Sequence, residues 1–292
     1  MSPSARSAAA TEAAQDRTPR GRPEIDSGTG PEPLLRVQTL GRFRVWRDGR
    51  ELPGSVWERD KAVQLLQFLL TRRGRLTERE RIVEALWPEQ SIEAGERDFK
   101  VALSSLLRAI EPERAPRAES QVVSRAGTAY GLAPGAAWVD AQALEAAVAA
   151  GNRDLAGDPE SALRHYRAAA ELYQGDFLPE RRYEDWACAE QERLQMLALG
   201  AMANLAALVL EANPLEALHL AARIHDVDPL WEEAWRLEMR AHLARGNPGL
   251  ALRAWQRCVQ ALDAELGIAP LPATRALVEP LLSAGARLET SP

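Results

Sequence analysis

The chain has 292 residues, 46% of them hydrophobic, and its 36 Lys+Arg against 42 Asp+Glu give a formal net charge of −6. That length suits two domains of ordinary size, and no apolar run approaches the roughly 18 residues of a membrane-crossing helix. The N-terminus lacks the apolar centre of a signal peptide, so a cytoplasmic protein with no membrane partner is expected. No GxxxxGK phosphate loop, GxSxG elbow or metal-binding His/Cys spacing is present, so the sequence offers no enzyme, no cofactor and no metal site.

Residues 1–33 are Ala, Ser, Pro, Gly and charge with almost nothing to bury, and read as a disordered tail. Two short strand patterns follow in LLRVQTLGRFRVWRDGREL at 34–52, with Asp48-Gly49 as a turn signal. WERDKAVQLLQFLLTRRGR predicts a helix with Ala62, Leu65, Leu66, Leu69 and Leu70 inward and Gly74 as its stop. A further short helix carries Ile82, Val83 and Leu86 on one face and ends at Trp87-Pro88, because proline disfavours the helical region for its predecessor.

The next helix is expected to start near Ala94. At about 100° per residue its faces separate, with Phe99, Leu103, Leu106, Leu107 and Ile110 on one side and Arg97, Lys100, Ser104 and Arg108 on the other. One side can pack while the other meets phosphates and base edges, because an α-helix fits the major groove and Arg or Lys donates to guanine acceptors. A hairpin in VVSRAGTAYGL completes an order of sheet, three helices and β-hairpin, which is what a winged helix needs. Charge follows the same division. Residues 34–135 hold 18 Lys+Arg against 14 Asp+Glu, a net of +4, whereas 136–292 hold 14 against 23, a net of −9. A local basic excess is what a DNA-binding face requires, and a whole-chain charge hides it.

After Ala133-Pro134-Gly135 the patterns turn helical, and a domain boundary is placed there. Asp140 is the expected N-cap of AQALEAAVAAG. SALRHYRAAAELYQG follows, then helices near 184–212, 215–226, 231–245 and 248–266, closed by Gly, Asn or Pro. Ala217-Leu218 and Ala251-Leu252 are 34 residues apart, the period of a tetratricopeptide helix pair. Cys188 and Cys258 lie in helical patterns without partner spacing and read as reduced, packed thiols. His165, His219, His225 and His242 read as core or surface histidines.

The first half resembles the OmpR-type winged helix in the version found in SARP-type bacterial regulators. The residues that carry the likeness are LGRFRVWRDGRELP, W-x-R-x-K-A-x-x-LL-x-x-LL from Trp57 to Leu70, ALWP ending at Pro88, KVALSSLLRAIEP, and V-x-R-x-G-x-x-Y-x-L from Val123 to Leu132. The resemblance implies that residues 94–110 are the recognition helix and that Arg125 in the wing reaches the minor groove or its phosphates. Family helices usually read like VALSRLRRAL. Here Ser104, Ser105 and Leu107 surround a single Arg108, and the wing has Ala129 and Gly131 where a Gly and a basic residue are common.

The second half looks like the bacterial transcriptional activator domain, on LY-x-G-x-FL from Leu172 to Leu178, Asp185-Trp186, DP-x-x-E from Asp228, and ELGIAP with PxTRAL. The expected fold class is therefore mainly α. It comprises a disordered tail at 1–33, a winged helix-turn-helix with a small β-sheet at 34–135, an all-α tetratricopeptide-like array at 136–284 and a C-terminal tail at 285–292.

The function implied is a transcriptional activator on double-stranded DNA. Arg97, Lys100, Ser104 and Arg108 would enter the major groove, and Arg125 the minor groove. Arg59 and Lys61 would sit on phosphates. The resemblance adds a homodimer on repeated elements and RNA polymerase as protein partner. The alternative is an adaptor in which a degenerate winged helix and the helical array both bind proteins.

Overall fold

A computed structural model describes residues 33–283; both expected tails lie essentially outside the described residues. The first sheet runs in the order β3-β2-β1-β7, with β1 (Leu35–Gln38), β2 (Arg44–Arg47), β3 (Arg50–Glu51) and β7 (Ala137–Val139). Asp48 at φ +48° and Gly49 at φ +74° form the turn between β2 and β3. Two consecutive left-handed residues give the primed turn whose twist suits a hairpin. Leu35, Val37 and Val45 face inward, while Arg36 on the other face has its guanidinium 5.5 Å from the Trp46 ring and 4.9 Å from the Trp138 ring on the neighbouring strands.

Strand β7 has no counterpart among the elements expected from the sequence. It lies beyond the Pro134-Gly135 turn yet returns to pair parallel with β1, Val37 opposite Val139. Asp140 then begins α4 (Asp140–Asp154) as its first helical residue, and the N-cap position falls to Val139. The Asp140 side chain thus ties the helix start to the sheet. Its carboxylate accepts from Thr39 N at 2.7 Å, Thr39 Oγ1 at 2.6 Å and Leu40 N at 2.9 Å, as well as from Ala141 N.

Helix α1 (Asp60–Thr71) stops before Gly74, with Arg73 at φ +54° and Gly74 at φ +76° carrying the chain away. It is buried on nearly every side, Gln64, Gln67, Phe68 and Thr71 included, and not only along the predicted leucine face. The additional cover comes from the second half of the chain. Phe68 meets Trp186 edge to face at 5.9 Å, and Gln67, fully buried, donates to Glu180 and accepts from Arg181 Nε at 2.8 Å.

Short strand β4 (Thr77–Glu78) leads into α2 (Arg79–Leu86), then α3 (Ile92–Ile110), capped by Ser91 Oγ on Ala94 N. Helix α3 thus begins two residues before the expected Ala94. The hairpin β5 (Val123–Ala126) and β6 (Ala129–Leu132) joins β4 in a second sheet, ordered β4-β6-β5, with Gly127 at its tip at φ +61°. Tyr130 anchors this wing against Phe99 of α3, ring centroids 4.9 Å apart.

The rest is helical: α5 (Pro159–Leu172), α6 (Asp185–Val209), α7 (Pro214–Val227), α8 (Glu232–Ala244), α9 (Pro248–Leu266) and α10 (Pro272–Ala276). Helices α4 to α9 each pack on the next, the stacking that lets a helical repeat bury a continuous core. Starts are local and chemical. Pro is the first residue of α5, α7 and α9, where its missing N–H costs nothing, and Asp158 and Asn213 cap the first two of these. One hydrophobic core runs from Leu35 in β1 to Ala241 in α8; a second joins Trp235 and Met239 to α9 and Val278. Cys258 is buried and Cys188 half-buried, both as free thiols. Among the described residues no helix is long and apolar enough to cross a membrane.

Candidate nucleic-acid interface

The outward face of α3 is the candidate site, and its packing explains why it is held so firmly. Phe99, Ala102, Leu106 and Ile110 are buried against α1, α2 and the wing, while Leu103 and Leu107 are half-buried at the flank. Gly95 allows α2 to approach, since a Cβ there would lie 2.3 Å from Val83 Cγ1. Arg79 Nη2 bonds Glu96 Oε1 at 2.5 Å across the same crossing.

Arg97, Lys100, Ser104 and Arg108 all lie exposed on the opposite face, with Val101 among them. Among the described residues neither Arg97 nor Lys100 has a side-chain hydrogen bond or ion pair, and the nearby Asp98 carboxylate accepts from Gln90. Arg108 differs. Its Nη1 is 3.1 Å from Glu58 Oε1, and Ser105, which is buried beside Ser104, brings its Oγ to 3.2 Å from Glu58 Oε2. Sequence reasoning misses Glu58, because no spacing rule links the segment before α1 to the end of α3.

The remaining predicted contacts divide. Arg59 is the exposed N-cap of α1 in extended conformation, with no side-chain cap bond. Lys61, predicted beside it as a phosphate contact, is turned inward. Its ammonium donates to Leu86 O at 2.5 Å and to Gln64 Oε1 at 2.8 Å, and lies 5.4 Å from the Trp87 ring centroid. That places a cation on the carbonyl end of α2, where the helix dipole favours it, and leaves the fold rather than the groove as its setting. Arg125 is exposed in the wing, Nε donating to Gly127 O at 2.9 Å and its guanidinium 5.6 Å from the Tyr130 ring. Among the described residues the face offers hydrogen-bond donors: the unpaired Arg97 and Lys100, the Arg108 guanidinium paired with Glu58 and the Ser104 hydroxyl, with a wing beside them.

Known proteins extend this reading. The family model of the bacterial transcriptional activator domain matches residues 139–282. Regulatory protein AfsR of Streptomyces coelicolor is 30% identical over 268 residues, covering 86% of this chain and 24% of AfsR, so the chain spans about a quarter of that relative's length. The solved structure of Mycobacterium tuberculosis EmbR in complex with a low affinity phosphopeptide superposes with a TM-score of 0.72 at 23% identity, over 87% of this chain and 66% of EmbR, and shows the same fold. The chain carries a match to the bacterial transcriptional activator domain over residues 139–282 and is similar over most of its length to SARP-type bacterial transcriptional regulators.

Proposed function

We propose that this chain is a cytoplasmic, DNA-binding transcriptional activator that reads repeated promoter elements through α3 and contacts RNA polymerase through its helical array. The observation that carries the proposal is the pair Arg97 and Lys100, exposed and, among the described residues, unpaired on a helix whose other face is fixed by the core. Ordered cations with free donors suit guanine O6 and N7 in the major groove. Ser104 and Arg108 continue the reading face, Arg125 lies where a wing meets the flanking minor groove, and Arg59 at the exposed start of α1 suits a phosphate. The helical array, net acidic, suits protein contacts better than DNA. A homodimer on two half-sites is part of the proposal. Lys61 is assigned to the fold.

The test is selection of bound sequences from a random duplex library with the whole protein, repeated with Arg97→Ala/Lys100→Ala. A repeated motif is expected. The double variant should lose base preference by about 1–3 kcal/mol per contact. An unchanged preference would remove Arg97 and Lys100 as readers. If the folded wild-type protein enriches nothing, the adaptor becomes the better reading, which the pairing of Arg108 with Glu58 favours by leaving, among the described residues, Arg97 and Lys100 as the unpaired cations of the face.

A further inference from the structure

We infer that Glu58 is a specificity-determining residue: it buttresses Arg108 so that this guanidinium reads one guanine rather than a phosphate. The inference rests on the DNA-binding role proposed above. The reading face of α3 is asymmetric. Arg97 and Lys100 are unpaired among the described residues, whereas Arg108, the single basic residue between 101 and 110, is met by a carboxylate.

Stability gives no account of this pair. Arg108 and Glu58 are 63% and 54% exposed, and ion pairs at such exposure contribute almost nothing to folding. Glu58 is nevertheless oriented from two directions. Ser105 Oγ approaches Oε2 at 3.2 Å while Arg108 Nη1 approaches Oε1 at 3.1 Å, so one carboxylate spans two successive turns of α3. Ser105 is buried at the boundary between the packed and the reading face, so it is a fixed point from which the carboxylate is aimed.

The physical consequence separates two kinds of contact. Attraction to a phosphate scales with local net charge, and an Arg–Glu pair has none; the carboxylate also repels the backbone. Reading a base edge depends instead on directed donors. A guanidinium has five N–H groups, and one bond to Glu58 leaves the others free in a fixed plane, ready for guanine O6 and N7. Among the described residues Arg97 and Lys100 have no such partner.

The test uses the whole protein in the same library selection and adds nonspecific duplex binding at several salt concentrations. Glu58→Gln keeps the acceptor oxygen for Ser105 and removes the charge. Discrimination at one guanine of the motif is expected to fall about 5- to 100-fold. Nonspecific binding should become tighter, with its log–log salt slope steeper by about 0.9, as Arg108 becomes a phosphate contact. Arg108→Lys, at an exposed position that does not endanger folding, should lose preference at the same guanine, and the double variant should lose no more than either alone. An unchanged preference and salt slope in Glu58→Gln, with a wild-type motif present, overturns the role of Glu58 alone. Loss at different positions in the two variants does the same. A wild-type protein that enriches no motif overturns the DNA reading itself and this inference with it.

Discussion

At the residue scale, Asp140 shows how one side chain can be identified correctly as a terminus group and still be misassigned. Asp before an Ala- and Leu-rich run signals a helix start, and α4 does start there. The partners of its carboxylate were beyond sequence logic, because Thr39 and Leu40 are about a hundred positions away and reach it only through the parallel pairing of β1 with β7. Both amides are buried with the Thr39 hydroxyl, and unpaired buried donors cost about 1–3 kcal/mol each. Asp140→Ala should therefore destabilise the fold by about 3 kcal/mol, read as a lower urea midpoint with an unchanged m-value. Asp140→Asn should recover little, since its amide group has one acceptor oxygen and would turn an NH2 toward donors. Full recovery by Asn would show that the shape of the side chain matters there, not its two acceptors.

At the element scale, the helices were legible wherever one face packs and the other meets water. The division of α3 follows its helical spacing because Phe99, Leu106 and Ile110 do go inside and Arg97, Lys100 and Arg108 do not. Helix α1 was only half legible: Gln67 and Phe68 look like a polar or neutral flank until Glu180, Arg181 and Trp186 arrive from the second half to cover them. Gly95 was invisible for a related reason, since a glycine inside a helical pattern marks a close crossing only once its neighbour is known. Here the neighbour is Val83, a stiff β-branched side chain that is itself buried. Gly95→Ala gains helix propensity, about 1 kcal/mol, but it must displace α2 or α3, and such overpacking costs about 1–3 kcal/mol. A net loss of about 1 kcal/mol in stability is expected, together with a larger loss in duplex affinity because the reading face shifts. Val83→Ala in the same protein should restore affinity by opening the space, even though it sacrifices buried methyl groups. If the double variant binds no better than Gly95→Ala, the α2–α3 crossing does not set the position of α3.

At the scale of the whole molecule, the turn at 133–135 is a change of pattern without being a change of core. Strand β7 returns to the first sheet, Leu40 bridges to Phe177, and Arg181 Nη2 reaches Asp60 Oδ1 at 2.7 Å, so the first core passes from the strands into the array without a break. A seam between cores lies later, inside α8, where that core ends and the second begins. A half-buried polar knot crosses this seam. Glu238 of α8 faces His225 of α7 at 3.4 Å, His242 of its own helix at 3.6 Å, and Arg257 of α9, while the ring of Trp235 stacks on His225 at 3.7 Å with the Arg257 guanidinium 5.2 Å from its centroid. Burial pushes the Glu238 carboxyl upward, but the His225 contact and the charge of Arg257 outweigh it and hold the pKa below the ordinary carboxylate value. With the folded value depressed, the unfolded chain binds more protons between the two values, so stability from Glu238 is complete above the ordinary range and is lost as pH falls through the folded one. Glu238→Gln should thus cost about 2 kcal/mol at neutral pH, in the range for hydrogen bonds to charged groups. The gap between wild type and variant should close as pH falls through and below the ordinary carboxylate range, in urea titrations followed at each pH. A gap that stays constant across that window would mean that the charge on Glu238 contributes nothing and that the knot holds α7, α8 and α9 together by packing of Trp235, His225 and Arg257 alone.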